Sequence, residues 1–264
     1  MNILEQIIKQ KKSEVVKHKA QFSRRELEEF PNFNRECNSL AQNITKHDFG
    51  IIAEIKRKSP SRGNINTNVI PEEIAKNYAA SKVAGISVLT DTPYFGGNLK
   101  DLENVRTVVT TPLLRKDFII DEYQLFEAKA YGADAILLIA EALDKKHLHE
   151  LALIANSLGM EVLMELHNID QLDKFNEEVS ILGVNNRDLK TQVTSIQTSI
   201  DLFTYLPKNV VKITESGIND PKELITLNKT GYQGALIGSS IVGNHNPAEK
   251  IKQLQEFKTV GYEA

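Results

Sequence analysis

Residues 51–63 read IIAEIKRKSPSRG. An apolar run closes on two charges, Glu54 and Lys56, and passes into a basic turn that holds Pro60 and Gly63. Side chains two apart on a strand share a face. Ile52, Glu54 and Lys56 therefore point one way, and Ile51, Ala53 and Ile55 the other. A strand buried on both faces should read as nearly continuous hydrophobic sequence. Desolvating an ion is costly unless the ion is paired or used. Charges at the end of such a strand are either a structural ion pair or part of a site.

The pattern recurs along the chain. Strand-like apolar runs lie at 50–56, 85–90, 112–116, 134–139, 161–166, 181–185, 210–214 and 234–238. Between them stand polar segments of helical period, among them VIPEEIAKNYAASK (69–82), DEYQLFEAKAYG (121–132), DKKHLHELALIANSLG (144–159) and DPKELITLNKTG (220–231). Gly85, Gly132, Gly159 and Gly231 follow helices, where C-terminal glycines belong. Eight strands, each with a helix after it, predict a parallel (β/α)8 (TIM) barrel over residues 49–264, with an open doubly wound sheet as the alternative. Residues 1–48 are read as an N-terminal helical extension packed on that barrel. Its first helix is amphipathic, with Ile3, Leu4, Ile7, Ile8 and Val15 at helical intervals.

Length and charge narrow the function. At 264 residues and a formal net charge of −3, the chain is near neutral, which argues against nucleic-acid or membrane-surface partners. No run approaches the roughly 18 apolar residues of a membrane span, and the N-terminus lacks the features of a secretory signal. A cytoplasmic protein is expected. The single cysteine, Cys37, excludes an internal disulfide and reads as a small core or loop residue. His147 and His149 are two apart, so a helix points them to different faces, and no metal is expected.

The strand ends carry the chemistry. Lys116 shares a face with Leu114, Glu165 with Leu163, and Asn185 and Arg187 with Gly183; the seventh strand ends in Glu215-Ser216-Gly217. Polar residues at the C-terminal ends of barrel strands point to an active site. Neighbouring carboxylates should keep the lysines protonated, as acids and oxyanion stabilisers. The turns Ser216-Gly217-Ile218 and Gly238-Ser239-Ser240 suggest a phosphate site, which barrels often place after strands 7 and 8. Ser59 and Lys58 could contribute from the opposite side, on a loop with either the composition of a mobile lid or that of a solvated basic turn.

At these residues the chain resembles the indole-3-glycerol phosphate synthase family of tryptophan biosynthesis. The matching segments are AEIKRKSPSRG, LTDTPYFGG, LLRKDFIID, GADAILLIA, GVNNRDL, ESGI and LIGSSI, in family order. The resemblance implies a decarboxylating lyase without cofactor or metal, acting on the phosphorylated small molecule 1-(2-carboxyphenylamino)-1-deoxyribulose 5-phosphate. It is expected as a monomer rather than an oligomer. By motif, Lys116 would be the general acid at ring closure, and Glu165 would orient or shuttle protons. Glu54 and Lys56 would stabilise the substrate's carboxylate region and serve the later dehydration. Asn185, Arg187, Glu215 and Ser216 would hold hydroxyls and carboxylate, and Ser59, Gly217, Gly238 and Ser239 the phosphate. Phe95, Phe118, Leu137 and Leu189 would wall the aryl ring, unless they are ordinary core. The chain departs from the family's commoner pattern in MELHN (164–168), in TESGI and at Asn98; it has no tryptophan, so a leader contact to the aryl ring must come from another residue. The rival readings are a phosphoribosyl isomerase, which would want an acid–base pair that Cys37 is in the wrong place to join, and a non-catalytic phosphoribosyl-ligand binder, which would be expected to have lost Lys56, Lys116 or Glu165.

Overall fold

A computed structural model describes residues 2–188 and 193–257. Eight strands, β1 (Gly50–Ile55), β2 (Gly85–Leu89), β3 (Leu113–Lys116), β4 (Ala135–Ile139), β5 (Glu161–Leu166), β6 (Ile181–Asn185), β7 (Val211–Glu215) and β8 (Gly234–Ile237), close into one ring. Every neighbouring pair is parallel, and β8 returns to β1 with Gly50 opposite Gly234. This is a (β/α)8 barrel.

Side-chain alternation divides the core into two layers. Ile52, Leu114, Leu137, Leu163, Ile213 and Leu236 fill the ring from inside. Ile51, Ala53, Ile55, Ile86, Val88 and their counterparts face outward, against the helices. The parity read from β1 therefore holds: Ile52 lies inside, and Ile51, Ala53 and Ile55 lie outside.

The helices in chain order are α1 (Ile3–Gln21), α2 (Arg24–Glu28), α3 (Leu40–Thr45), α4 (Pro71–Ala80), α5 (Thr92–Phe95), α6 (Leu99–Val108), α7 (Tyr123–Ala130), α8 (Lys145–Ser157), α9 (Gln197–Leu202), α10 (Pro221–Thr230), α11 (Ser239–Val242) and α12 (Pro247–Gln255). The sequence sets many of their ends. Asp220 caps α10 with Pro221 at its first position, and Gly231 ends it in the left-handed region at φ +117°. One expectation is corrected here: β5 is followed by a 3-10 helix, Ile169–Lys174, and not by an α-helix.

Gly85 is a second correction. It does not stop α4; the left-handed residue after that helix is Lys82. Gly85 opens β2, where a Cβ would run into Leu40 Cδ1. Leu40 and Ile44 of α3 are fully buried among the inward side chains and so close the N-terminal end of the ring. The glycines of β1, β2 and β8 make room for that plug.

The leader packs on the barrel wall. Ile7, Lys11 and Val15 form the buried stripe of α1. A lysine inside that stripe is tolerated because its ammonium meets Asp117 at 2.8 Å, Asp91 at 3.0 Å and Glu14 at 2.7 Å. Further down, the Tyr123 hydroxyl reaches the carbonyls of His18 and Phe22, and Leu27 packs against Tyr123, Phe126 and Ala130. Among the described residues, no helix is long and apolar enough to cross a membrane.

Candidate active site

At the C-terminal ends of the strands lies a cavity of about 160 Å³ that continues into a lobe of about 60 Å³. Glu54, Lys56, Lys116, Arg187, Ser216 and Ser239 border both. A larger hollow of about 330 Å³ lies beneath α1 around Lys11 and His18, but Glu54, Lys116 and Glu165 do not line it.

Lys116 is the hub. From the end of β3 its ammonium lies 2.7 Å from Glu215, 3.6 Å from Glu54 and 3.9 Å from Glu165. These residues come from β7, β1 and β5, so only closure of the ring brings them together. Lys56 pairs with Glu54 on β1. Burial alone would push the Lys116 ammonium down, but Glu215, Glu54 and Glu165 outweigh it and hold the group well above the ordinary lysine value. Burial likewise opposes ionisation of Glu54, yet Lys56 and Lys116 draw its carboxyl below the usual range. Glu215 moves the other way, pushed up to about 7 by burial, with Glu165 adding and Lys116 opposing. The two directions are compatible because Glu54 supplies a second negative partner to Lys116. Three carboxylates thus stand around two ammonium groups, and Lys116 is the cation that Glu54, Glu165 and Glu215 share.

Two glycines exist for this constellation. A Cβ on Gly238 would collide with Glu54 and stand 2.9 Å from Lys56 Nζ. A Cβ on Gly183 would meet Glu215 Oε1 at 2.5 Å. Neither role is visible without the neighbouring strand.

The larger cavity is apolar on one side. Phe95, Phe118, Leu137 and Ile139 line it from the barrel, and Ile3, Leu4 and Ile7 from α1. The Phe95 and Phe118 ring centroids are 6.1 Å apart. Leu189 lies outside the described residues. The smaller lobe is bounded by Gly217, Gly238, Ser239, Arg62 and Arg187. Ser216 and Gly217 both adopt left-handed backbone, at φ +68° and +77°. Asn186 holds that turn, donating to Ser216 O at 3.0 Å and to Thr214 Oγ1 at 2.9 Å. The Ser240 hydroxyl donates to Ile218 O at 3.0 Å and so ties the β7 turn to the β8 turn.

The chain matches the family model described as Indole-3-glycerol phosphate synthase over residues 4–254. It belongs to the indole-3-glycerol phosphate synthase family. It is 43% identical over 253 residues to the Bacteroides thetaiotaomicron protein named indole-3-glycerol phosphate synthase, covering 96% of this chain and 97% of that one. It is 44% identical over 258 residues to the protein of that name from Salinibacter ruber, covering 97% and 96%. Among solved structures, 3-hexulose-6-phosphate synthase from Salmonella typhimurium aligns with a TM-score of 0.64 at 13% identity, over 81% of this chain and all of that one (100%). That likeness concerns the fold alone.

Against the family pattern, several placements stand out. Ser59 borders the larger cavity and not the smaller lobe, where Arg62 of the same hairpin (Lys58–Ser59 with Gly63–Asn64) is found instead. Lys58 borders neither and packs beside the Gly96 turn. Arg57 anchors the root of that hairpin on Asp101 and on Gly96 O, the latter at 2.9 Å. Glu215 is 1% exposed and borders neither lobe; its contact is Lys116. Asn185 borders the larger cavity, and its Oδ1 accepts from Arg187 N at 3.0 Å. Asn98, where the family commonly has serine, caps α6 by accepting from Asp101 N. Reading the residues alone missed Arg62, Asn186 and the aliphatic wall from α1. An arginine three residues past Ser59 was the one available hint.

Proposed function

We propose that the chain closes the indole ring of 1-(2-carboxyphenylamino)-1-deoxyribulose 5-phosphate, releasing carbon dioxide and water to give indole-3-glycerol phosphate. The observation that carries the reading is Lys116, a half-buried ammonium held protonated by three carboxylates between an apolar wall and an anion lobe. In this reading the aryl ring lies against Phe95, Phe118 and Leu137, with Ile3, Leu4 and Ile7 supplying the leader's contact in place of a tryptophan. The phosphate takes the N–H groups of the Gly217 and Gly238 turns and the charges of Arg62 and Arg187.

Ring closure forms a carbon–carbon bond to the ketone carbon, and negative charge develops on the ketone oxygen. Lys116 gives that oxygen a proton, an interaction that strengthens only in the transition state. The substrate's carboxylate then leaves as carbon dioxide, which restores aromaticity. Loss of the new hydroxyl as water needs a second acid, and Lys56, paired with Glu54, is the other ammonium at the cavity. Glu165 exchanges protons with the reacting centre, while Glu215 sustains the charge on Lys116. The leader of the same chain completes the wall, so a monomer suffices.

The test is to mix purified protein with the carboxyphenylamino-deoxyribulose phosphate, chelator present, and follow indole fluorescence. Turnover supports the reading, and substrate left unchanged overturns it.

A further inference from the structure

His167 stands one inward position above Glu165, just past the end of β5. Its side chain is 7% exposed, and neither ring nitrogen has a hydrogen-bond partner among the described residues. Buried polar groups are nearly always satisfied, so an exception calls for an explanation. The nearest charged atom supplies one. His167 Nε2 lies 3.4 Å from Glu165 Oε1, while Glu165 Oε2 faces Lys116 Nζ at 3.9 Å. The two oxygens of one carboxylate are thus divided between an imidazole and an ammonium.

The backbone that carries the ring is held from outside the cavity. The His167 backbone N–H donates to Gln171 Oε1 at 2.7 Å, and Gln171, itself buried in the 3-10 helix after β5, donates to Glu141. Besides Glu165, the charges that face the ring are Glu215, Glu141 and Asp188, with Lys116 opposing them. Burial outweighs the carboxylates and holds the imidazole below its usual value, hence neutral, with one N–H and one bare nitrogen.

We propose that His167 is a positioning residue for Glu165: its Nε2–H donates to Glu165 Oε1 and keeps Oε2 turned toward Lys116 and the substrate. The inference rests on the ring-closing reading above. A contact of 3.4 Å is long for a hydrogen bond, and such contacts commonly tighten only in the substrate complex. A neutral donor suits the task, because an imidazolium would bring a second cation to compete with Lys116 for the same carboxylate.

The experiment uses the full chain. His167→Leu should lower kcat by roughly 10- to 100-fold, the scale of a catalytic group displaced by about an ångström, with KM little changed. His167→Gln, whose amide N–H reaches the Nε2 position, should restore most of that loss. In a Glu165→Gln background, adding His167→Leu should change kcat less than about twofold, because both act through one group. Three results would overturn the proposal: a Leu variant at full rate, Leu and Gln variants falling equally, or an additive loss in the Glu165→Gln background. Should the Leu variant misfold by circular dichroism, His167→Asn replaces it. Its shorter amide cannot reach Oε1, so Asn should be slow and Gln fast, and equal rates would defeat the idea. A wild-type protein that makes no indole removes both readings; an active wild type with a full-rate Leu variant removes only this one.

Discussion

Replacing Lys11 with methionine tests how the leader is joined to the catalytic face. The ammonium sits between Asp117 at 2.8 Å and Asp91 at 3.0 Å, side chains that are 2% and 1% exposed. The three groups do not share the charge equally. Burial opposes ionisation of all of them, but Lys11 is held above its ordinary value by Asp117 and Asp91. Asp117, helped by Lys11 and Arg115, is held below the usual carboxylate range, while burial lifts Asp91 above it. Methionine keeps the stem and removes the charge, leaving two buried carboxylates without their common partner. Breaking a buried pair from one side costs about 3–5 kcal/mol. At about 2.1 cal/mol/K of unfolding entropy per residue, the chain's length converts this into a fall in Tm of roughly 5–9 °C. Circular dichroism at pH 7 and one scan rate reads it. Adding Asp91→Asn should recover part of the loss, because Asn keeps the cap on Tyr94 N and Asp117 keeps Arg115. KM should rise as well, since α1 carries Ile3, Leu4 and Ile7 at the cavity. A fall below about 2 °C, or no recovery in the double variant, would refute a clamp of this strength.

Three further outcomes follow from the site. Lys116→Met should lower kcat at least ~100-fold with little change in KM, as for loss of a general acid, and near-normal turnover by indole fluorescence would defeat the assignment. Gly238→Ala should cost at least ~10-fold in kcat/KM by displacing the Glu54–Lys56 pair; an unchanged kcat/KM would show that the pair adapts freely. The Glu215 carboxyl is raised from 4.5 to about 7 in the folded chain. The native state therefore binds this proton more tightly than the unfolded state, and its contribution to stability is lost as pH rises from about 4.5 through about 7. The Tm of wild type minus that of Glu215→Gln should fall across that window, and a flat difference would contradict the shift.

Much of the site was legible because a strand alternates strictly. Once Glu54 and Lys56 closed an apolar run on one face, their place at the barrel mouth followed from parity, and Lys116, Glu165 and Asn185 followed by the same rule. Other residues had no such signal. Lys11 falls by helical spacing on the face of Ile7 and Val15, but nothing local shows that Asp91 and Asp117 wait there to pair it. Gly85 reads as a helix stop, but its lack of a side chain answers Leu40. Asn186 looks like the redundant partner of Asn185, although it is the one that braces the turn at Ser216.

Local sequence, then, determined the eight strands, the faces they present and the identities of the acids and bases at their ends, since periodicity and turn chemistry act over a few residues. The tertiary structure alone decided which charges meet. Glu54, Lys116, Glu165 and Glu215 are far apart along the chain and become neighbours only when β8 pairs with β1. In that low-dielectric ring their mutual field keeps Lys116 charged, and burial lifts Glu215.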